Sequence, residues 1–149
     1  MNAFVAGATG LTGRFVVEAL REAGAEVAAH VRPDSPRLQE WTARFEELGA
    51  HADSTAWTPE DMKARFSKEP PDLVFALLGT TKKRFKRQGD GDYMAVDFGL
   101  TALLVDALEE HPQTRFVYLS SIGTKEGVRS AYMKARWFAE EHLRNSSLP

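Results

Sequence analysis

The sequence predicts an α/β fold: a doubly wound parallel sheet of about five strands with helices on both faces. Two observations carry this. Short apolar runs alternate with longer runs of helical periodicity along all 149 residues, a pattern that calls for parallel strands joined by right-handed crossover helices. Three glycines, Gly7, Gly10 and Gly13, also fall at even spacing between the first apolar run and the first helical one, in "FVAGATGLTGRFVVEAL".

Each element has its own reason. Residues 2–8 are apolar and end at the glycines, as a buried strand should. Residues 11–23 form a helix with Phe15, Val16, Ala19 and Leu20 on one face and Gly24 as its stop. Residues 26–31 are the second strand, closed by Pro33. Residues 36–48 carry Leu38, Trp41, Phe45 and Leu48 at helical spacing, and residues 50–54 make a short third strand. Residues 59–66 form a short helix with Thr58 as N-cap and Pro59 in the first position. Residues 72–78, "DLVFALL", are a continuous apolar strand. A long helix over 93–110 puts Leu100, Leu104, Ala107 and Leu108 on one face. Residues 115–119 give the fifth strand and 131–145 the last helix.

Composition bounds the function. With 43% hydrophobic and 27% charged residues, the chain reads as one soluble globular domain. A formal net charge of −2 supplies no global attraction to nucleic acid or membrane. There are no cysteines, which excludes disulfides, thiolate metal sites and a cysteine nucleophile, and fits a reducing cytoplasm. No apolar stretch approaches the roughly 18 residues of a membrane span, and the N-terminus enters a strand without the basic flank of a signal peptide.

Glycine weakens strands and helices alike, so three at their junction need a reason. In a Rossmann fold the first makes the tight turn, the second lets a pyrophosphate approach the backbone, and the third lets the helix lie close to the strand. The open N–H groups and positive end of the helix then meet the phosphates. A tight turn without ligand is the other explanation. The strand before, the helix after and the place at the head of a βα series favour the dinucleotide.

The stretch "GATGLTG" resembles the atypical NAD(P)H-binding branch of the short-chain dehydrogenase/reductase superfamily. "LLGTT" (77–81), "YLSSIGT" (118–124) and "YMKARWFAEEHL" (132–143) extend the resemblance over nearly the whole chain. Together these motifs look most like the Tat-interacting-protein subgroup, near the NmrA-like proteins. The resemblance implies an oxidoreductase whose cofactor contacts Gly7, Thr9, Gly10, Leu11, Thr12 and Gly13, and, from the later strands, Leu78, Gly79, Thr80 and Ser120. Members of the branch continue into a further strand and a substrate-binding part. Residues 1–149 are therefore expected to be the NAD(P)-binding domain of something longer.

An acidic residue about 20 positions after the glycines favours NAD, and an arginine there accommodates the 2′-phosphate of NADP. The sequence reads "HVRPDSPR", with Arg32 directly after the strand and Arg37 on the loop beyond, so NADP(H) is expected. Asp34 is the residue that would favour the opposite preference.

Reductases of this superfamily use Ser, Tyr and Lys. Carried over by the resemblance, the serine is Ser121 and the tyrosine Tyr132. The lysine position, four residues later, holds Arg136. Lys134 stands two positions from the tyrosine and so faces elsewhere on a helix. Arginine keeps the charge but not the shape of lysine. Two functions follow: an NADP(H)-dependent reductase of a small carbonyl or quinone-type compound, favoured by Ser121 with Tyr132, and a non-catalytic NADP(H)-sensing module with a protein partner, favoured by Arg136. A flavodoxin-like module does not use this glycine spacing.

The basic run around Phe85, with Lys82, Lys83, Arg84, Lys86 and Arg87, reads as a solvated loop at the ligand-binding edge, able to attract an acidic substrate. The four histidines are scattered without ligand spacing, so no metal site is expected.

Overall fold

A computed structural model describes residues 1–80 and 93–149; the basic run at 82–87 lies outside them. The strands are β1 (Asn2–Ala6), β2 (Glu26–His30), β3 (His51–Asp53), β4 (Leu73–Ala76) and β5 (Arg115–Tyr118). They form one parallel sheet in the order β3-β2-β1-β4-β5. The register sets Phe4 beside Ala28 on one side and Val74 on the other, and Val74 beside Phe116. The order reverses at β1: β2 and β3 leave to one side, β4 and β5 to the other. The crevice at the carboxyl ends of β1 and β4 is where such sheets bind ligands.

Successive strand residues point to opposite faces, and each face has its own core. Phe4, Val74 and Phe116 pack with Met62 and Phe66 of α3 (Pro59–Lys68) and Leu104 of α4 (Leu100–Ala107). Val5, Val27 and Ala29 pack with Val17 of α1 (Leu11–Glu22) and with Trp41 and Phe45 of α2 (Leu38–Glu47). The last helix, α5 (Ala131–Arg144), follows β5. Among the described residues, no helix is long and apolar enough to cross a membrane.

Turn and cap chemistry agree with the sequence. Gly24 has φ +78°, a conformation that stops α1 at little cost to glycine. The Thr58 hydroxyl accepts the Asp61 N–H at 3.1 Å. Three expectations are corrected. On α1 the buried row is Gly13 and Val17, flanked by Val16 and Leu20, while Phe15 is 62% exposed and Ala19 also faces solvent. Arg37 belongs to no free loop but is the N-cap residue of α2, which begins two residues later than expected. The single helix over 93–110 is instead a π-helical segment, Met94–Gly99, running into α4. Gly99 sits where a Cβ would lie 3.3 Å from the Met94 carbonyl oxygen, so the wide turn is tightly closed. The extra residue in that turn rotates the inward face: Thr101, Leu104 and Val105 are buried, and Leu100 is displaced to the crevice.

Candidate functional site

The glycine turn is sterically determined. Gly7 has φ +83°, and a Cβ there would lie 2.6 Å from the Leu77 carbonyl oxygen. A Cβ on Gly13 would lie 2.1 Å from the Gly7 oxygen, so only glycine lets α1 approach this closely. The Gly10 N–H closes the turn on the Gly7 oxygen at 3.0 Å. Gly10 is also the N-cap of α1, with no side-chain cap and no acidic residue in the first turn. Those first N–H groups are therefore left for a ligand, and the helix dipole favours an anion.

The turn opens into a cleft of about 650 Å³. Gly7, Thr9 and Gly10 of the turn, Leu78 and Gly79 after β4, and Arg32 and Arg37 after β2 all line it. Arg32 Nε lies 3.6 Å from Asp34 Oδ1, so the acidic residue in this loop faces the arginine. Arg37 grips Glu40 with both arms of its fork, at 2.7 and 2.5 Å. An aromatic wall completes the cleft. The buried His30 ring packs 4.5 Å from that of Trp57, and His30 Nε2 lies 2.8 Å from the Thr55 carbonyl oxygen. Burial pulls the His30 pKa below the usual histidine range, so its ring stays neutral at pH 7.

Arg136 lies directly behind Gly79, where an added Cβ would come within 2.8 Å of its guanidinium. Its side chain is 6% exposed and pairs with the fully buried Asp97 at 2.9 Å. It also donates to the carbonyl oxygens of Leu78 (2.9 Å) and Leu119 (2.6 Å) and to the Tyr118 hydroxyl (3.2 Å). The Tyr132 ring sits 5.2 Å from the guanidinium carbon. Burial pushes the Asp97 carboxyl above the usual carboxylate range, opposed by Arg136 and the Thr80 N–H. Arg136 is held above its usual value: burial alone would lower it, but Tyr118 and Asp97 outweigh that. Lys134 projects over Phe138, away from this cluster, as its spacing requires.

The structure thus brings Gly7, Thr9, Gly10, Arg32, Arg37, Leu78 and Gly79 to one cleft, and Tyr132 and Arg136 to one cluster in which Arg136 abuts Gly79. Leu11, Thr12 and Gly13 form the first turn of α1 beside the cleft. Thr80 is buried, donates its N–H to Asp97 at 3.1 Å, and has a hydroxyl without a partner among the described residues. The Ser120 hydroxyl is engaged by Glu140. Ser121 opens the turn after β5, where its carbonyl oxygen accepts the Thr124 hydroxyl at 2.7 Å.

An open helix terminus, a backbone cradle without side chains and a long cleft across the switch point fit a dinucleotide. A family model described as NAD(P)H-binding matches residues 7–149. The chain belongs to this NAD(P)H-binding family. It is 32% identical over 145 residues to the mitochondrial protein FMP52 of Eremothecium gossypii, covering 96% of this chain and 59% of that one. Among solved structures it resembles a candidate NAD-dependent epimerase/dehydratase of Bacillus halodurans, with TM-score 0.77 and 25% identity over 99% of this chain and 66% of that one. It also matches the UDP-glucuronic acid 4-epimerase of Bacillus cereus in complex with NAD, with TM-score 0.70 and 20% identity, covering 100% and 54%. A third match is the oxidoreductase ylbE of Lactococcus lactis, with TM-score 0.69 and 21% identity, covering 99% and 65%. This NAD(P)H-binding chain therefore spans about three fifths of the curated relative's length.

Asp97 and Trp57 carry no site role in the sequence reading, where Trp41 is only part of a helix's apolar face and Tyr118 only the first residue of a motif. Asp97 carried a usable signal. It interrupts the apolar run Ala95-Val96-Asp97-Phe98, and a carboxylate buried there needs a buried cation.

Proposed function

We propose that the chain is the cofactor-binding part of an NADP(H)-dependent reductase of the atypical short-chain type, related to the Tat-interacting-protein and NmrA-like branch. The supporting observation is the single cleft that runs from the glycine turn to Arg32 and Arg37. When bound, the nicotinamide supplies the hydride. The residues of the chain do the rest. Tyr132 is the proton donor to the oxygen of a small carbonyl or quinone-type substrate, and Ser121 holds that oxygen. Arg136 is a positioning residue: with its guanidinium committed to Asp97 and two carbonyls, it acts by fixing the Tyr132 ring and the strand ends. The partner is a small molecule rather than nucleic acid or membrane, in a reducing compartment such as the cytoplasm.

One observation favours a second reading. The cation at the lysine position, Arg136, is already paired with Asp97. A protein that senses NADP(H) and signals to a protein partner needs no such cation. NADPH oxidation against a panel of aldehydes, ketones and quinones separates the two. Turnover abolished by Tyr132→Phe supports the reductase. NADPH binding without turnover of any panel member supports the sensor.

A further inference from the structure

Arg14, in the first turns of α1, is a cation that the preference for NADP drawn above leaves without a task. Its backbone N–H and its Nε both reach the Gly10 carbonyl oxygen, at 3.1 and 3.3 Å. That folds the side chain back along the glycine turn. Its guanidinium carbon lies 5.9 Å from the centre of the Trp41 ring; Trp41 lines the cleft, while Arg14 itself stands just outside that lining. Two more guanidiniums share this ring: Arg37 at 5.0 Å and Arg44 at 5.7 Å.

The charges do not balance. Three cations surround Trp41 against one carboxylate, Glu40, which forms its ion pair with Arg37 and also feels the charge of Arg44. Among the described residues, no carboxylate lies within ion-pair distance of Arg14. Cations gathered around one aromatic ring are attracted by the ring but repel one another. An anion at this end of the cleft relieves that repulsion, and a phosphate monoester brings about −1.5 to −2 charges near neutral pH. The pyrophosphate has its own partners in the open N–H groups of α1.

We propose that Arg14 is a 2′-phosphate ligand and a determinant of NADP over NAD preference, with Trp41 as the platform that holds it beside Arg37. This rests on the NADP reading, and the test separates the two. Dissociation constants for NADPH and NADH are measured by calorimetry on the wild-type chain and on Arg14→Gln, which keeps the stem against Trp41 and removes the charge. The expected result is a wild type that prefers NADPH and a variant whose NADPH affinity falls about ten-fold or more, as for a lost charge-assisted bond, with NADH changed less than about two-fold. Adenosine 2′,5′-bisphosphate should show the same loss and 5′-AMP none. Equal losses for both cofactors would assign Arg14 to the pyrophosphate and overturn the proposal. A wild-type preference that survives Arg14→Gln would overturn the proposal while leaving the NADP reading in place. A wild type indifferent to the 2′-phosphate would overturn both.

Discussion

Arg136 joins three separate stretches of chain: the Leu78 carbonyl after β4, the Leu119 carbonyl after β5, and Asp97 in the π-helical segment. Removing one partner of such a buried pair leaves the other charged and unsolvated, at a cost of about 3–5 kcal/mol. Arg136→Met is therefore expected to lower unfolding stability by that much in urea denaturation, and Asp97→Leu in the same chain should recover most of it. A loss below about 1 kcal/mol for the single variant would show that the pair is not what holds these stretches. Arg136→Lys keeps the charge, but one ammonium cannot meet two carbonyls and a carboxylate in the planar arrangement a guanidinium offers. The position of Arg136 was readable from its spacing to Tyr132. Its role was not, because its main partner, Asp97, lies 39 positions earlier in the chain and no local pattern links them.

The strands and most helix boundaries follow from local chemistry, and the Thr58 cap illustrates why. A threonine before Pro59, with Asp61 at the third position, satisfies an open N–H wherever the chain is placed. Thr58→Ala should cost about 1 kcal/mol in urea unfolding and leave NADPH affinity unchanged, since Thr58 does not line the cleft. A change in cofactor affinity of more than a few fold would mean that α3 is coupled to the site. Local chemistry failed at the π-helical segment. A 3.6-residue period cannot register one additional residue in a turn, so the expected inner face was displaced and Leu100, assigned to the core, lines the cleft. On α1 the small Gly13 lies in the buried row because the helix packs so close to Gly7 that a larger residue does not fit. Counting apolar side chains therefore pointed to Phe15 instead.

At the scale of the whole molecule, the fold sets both where the ligand goes and how stability depends on pH. His30 ends β2 beside the cleft and is buried with a pKa below the ordinary value of about 6.5. The unfolded chain takes up that proton first. The stability His30 contributes is therefore complete above about pH 6.5 and is lost as pH falls toward its folded pKa. Asp53, also held below its ordinary range, adds a second loss only in more acid solution: burial alone would raise it, but bonds from Thr55 and Arg65 outweigh that. Urea midpoints should fall between pH 7 and 5 in the wild type, and His30→Gln should flatten that fall. An unchanged slope would place the sensitivity elsewhere. The parallel, doubly wound sheet and the ligand site at the glycine turn were legible because a glycine turn after a first strand, followed by alternating elements, admits few topologies. The substrate was not, because the chain covers only 59% of the curated relative it matches. The proposed site holds the pyrophosphate of NAD(P)H at the glycine turn, and calorimetric titration of NADPH into the wild-type chain and Gly10→Asp probes that contact. The wild type should bind and the folded variant should not, because a carboxylate at Gly10 would stand in the cleft where the phosphates must lie. Equal NADPH affinity in the two proteins would mean that the pyrophosphate binds elsewhere.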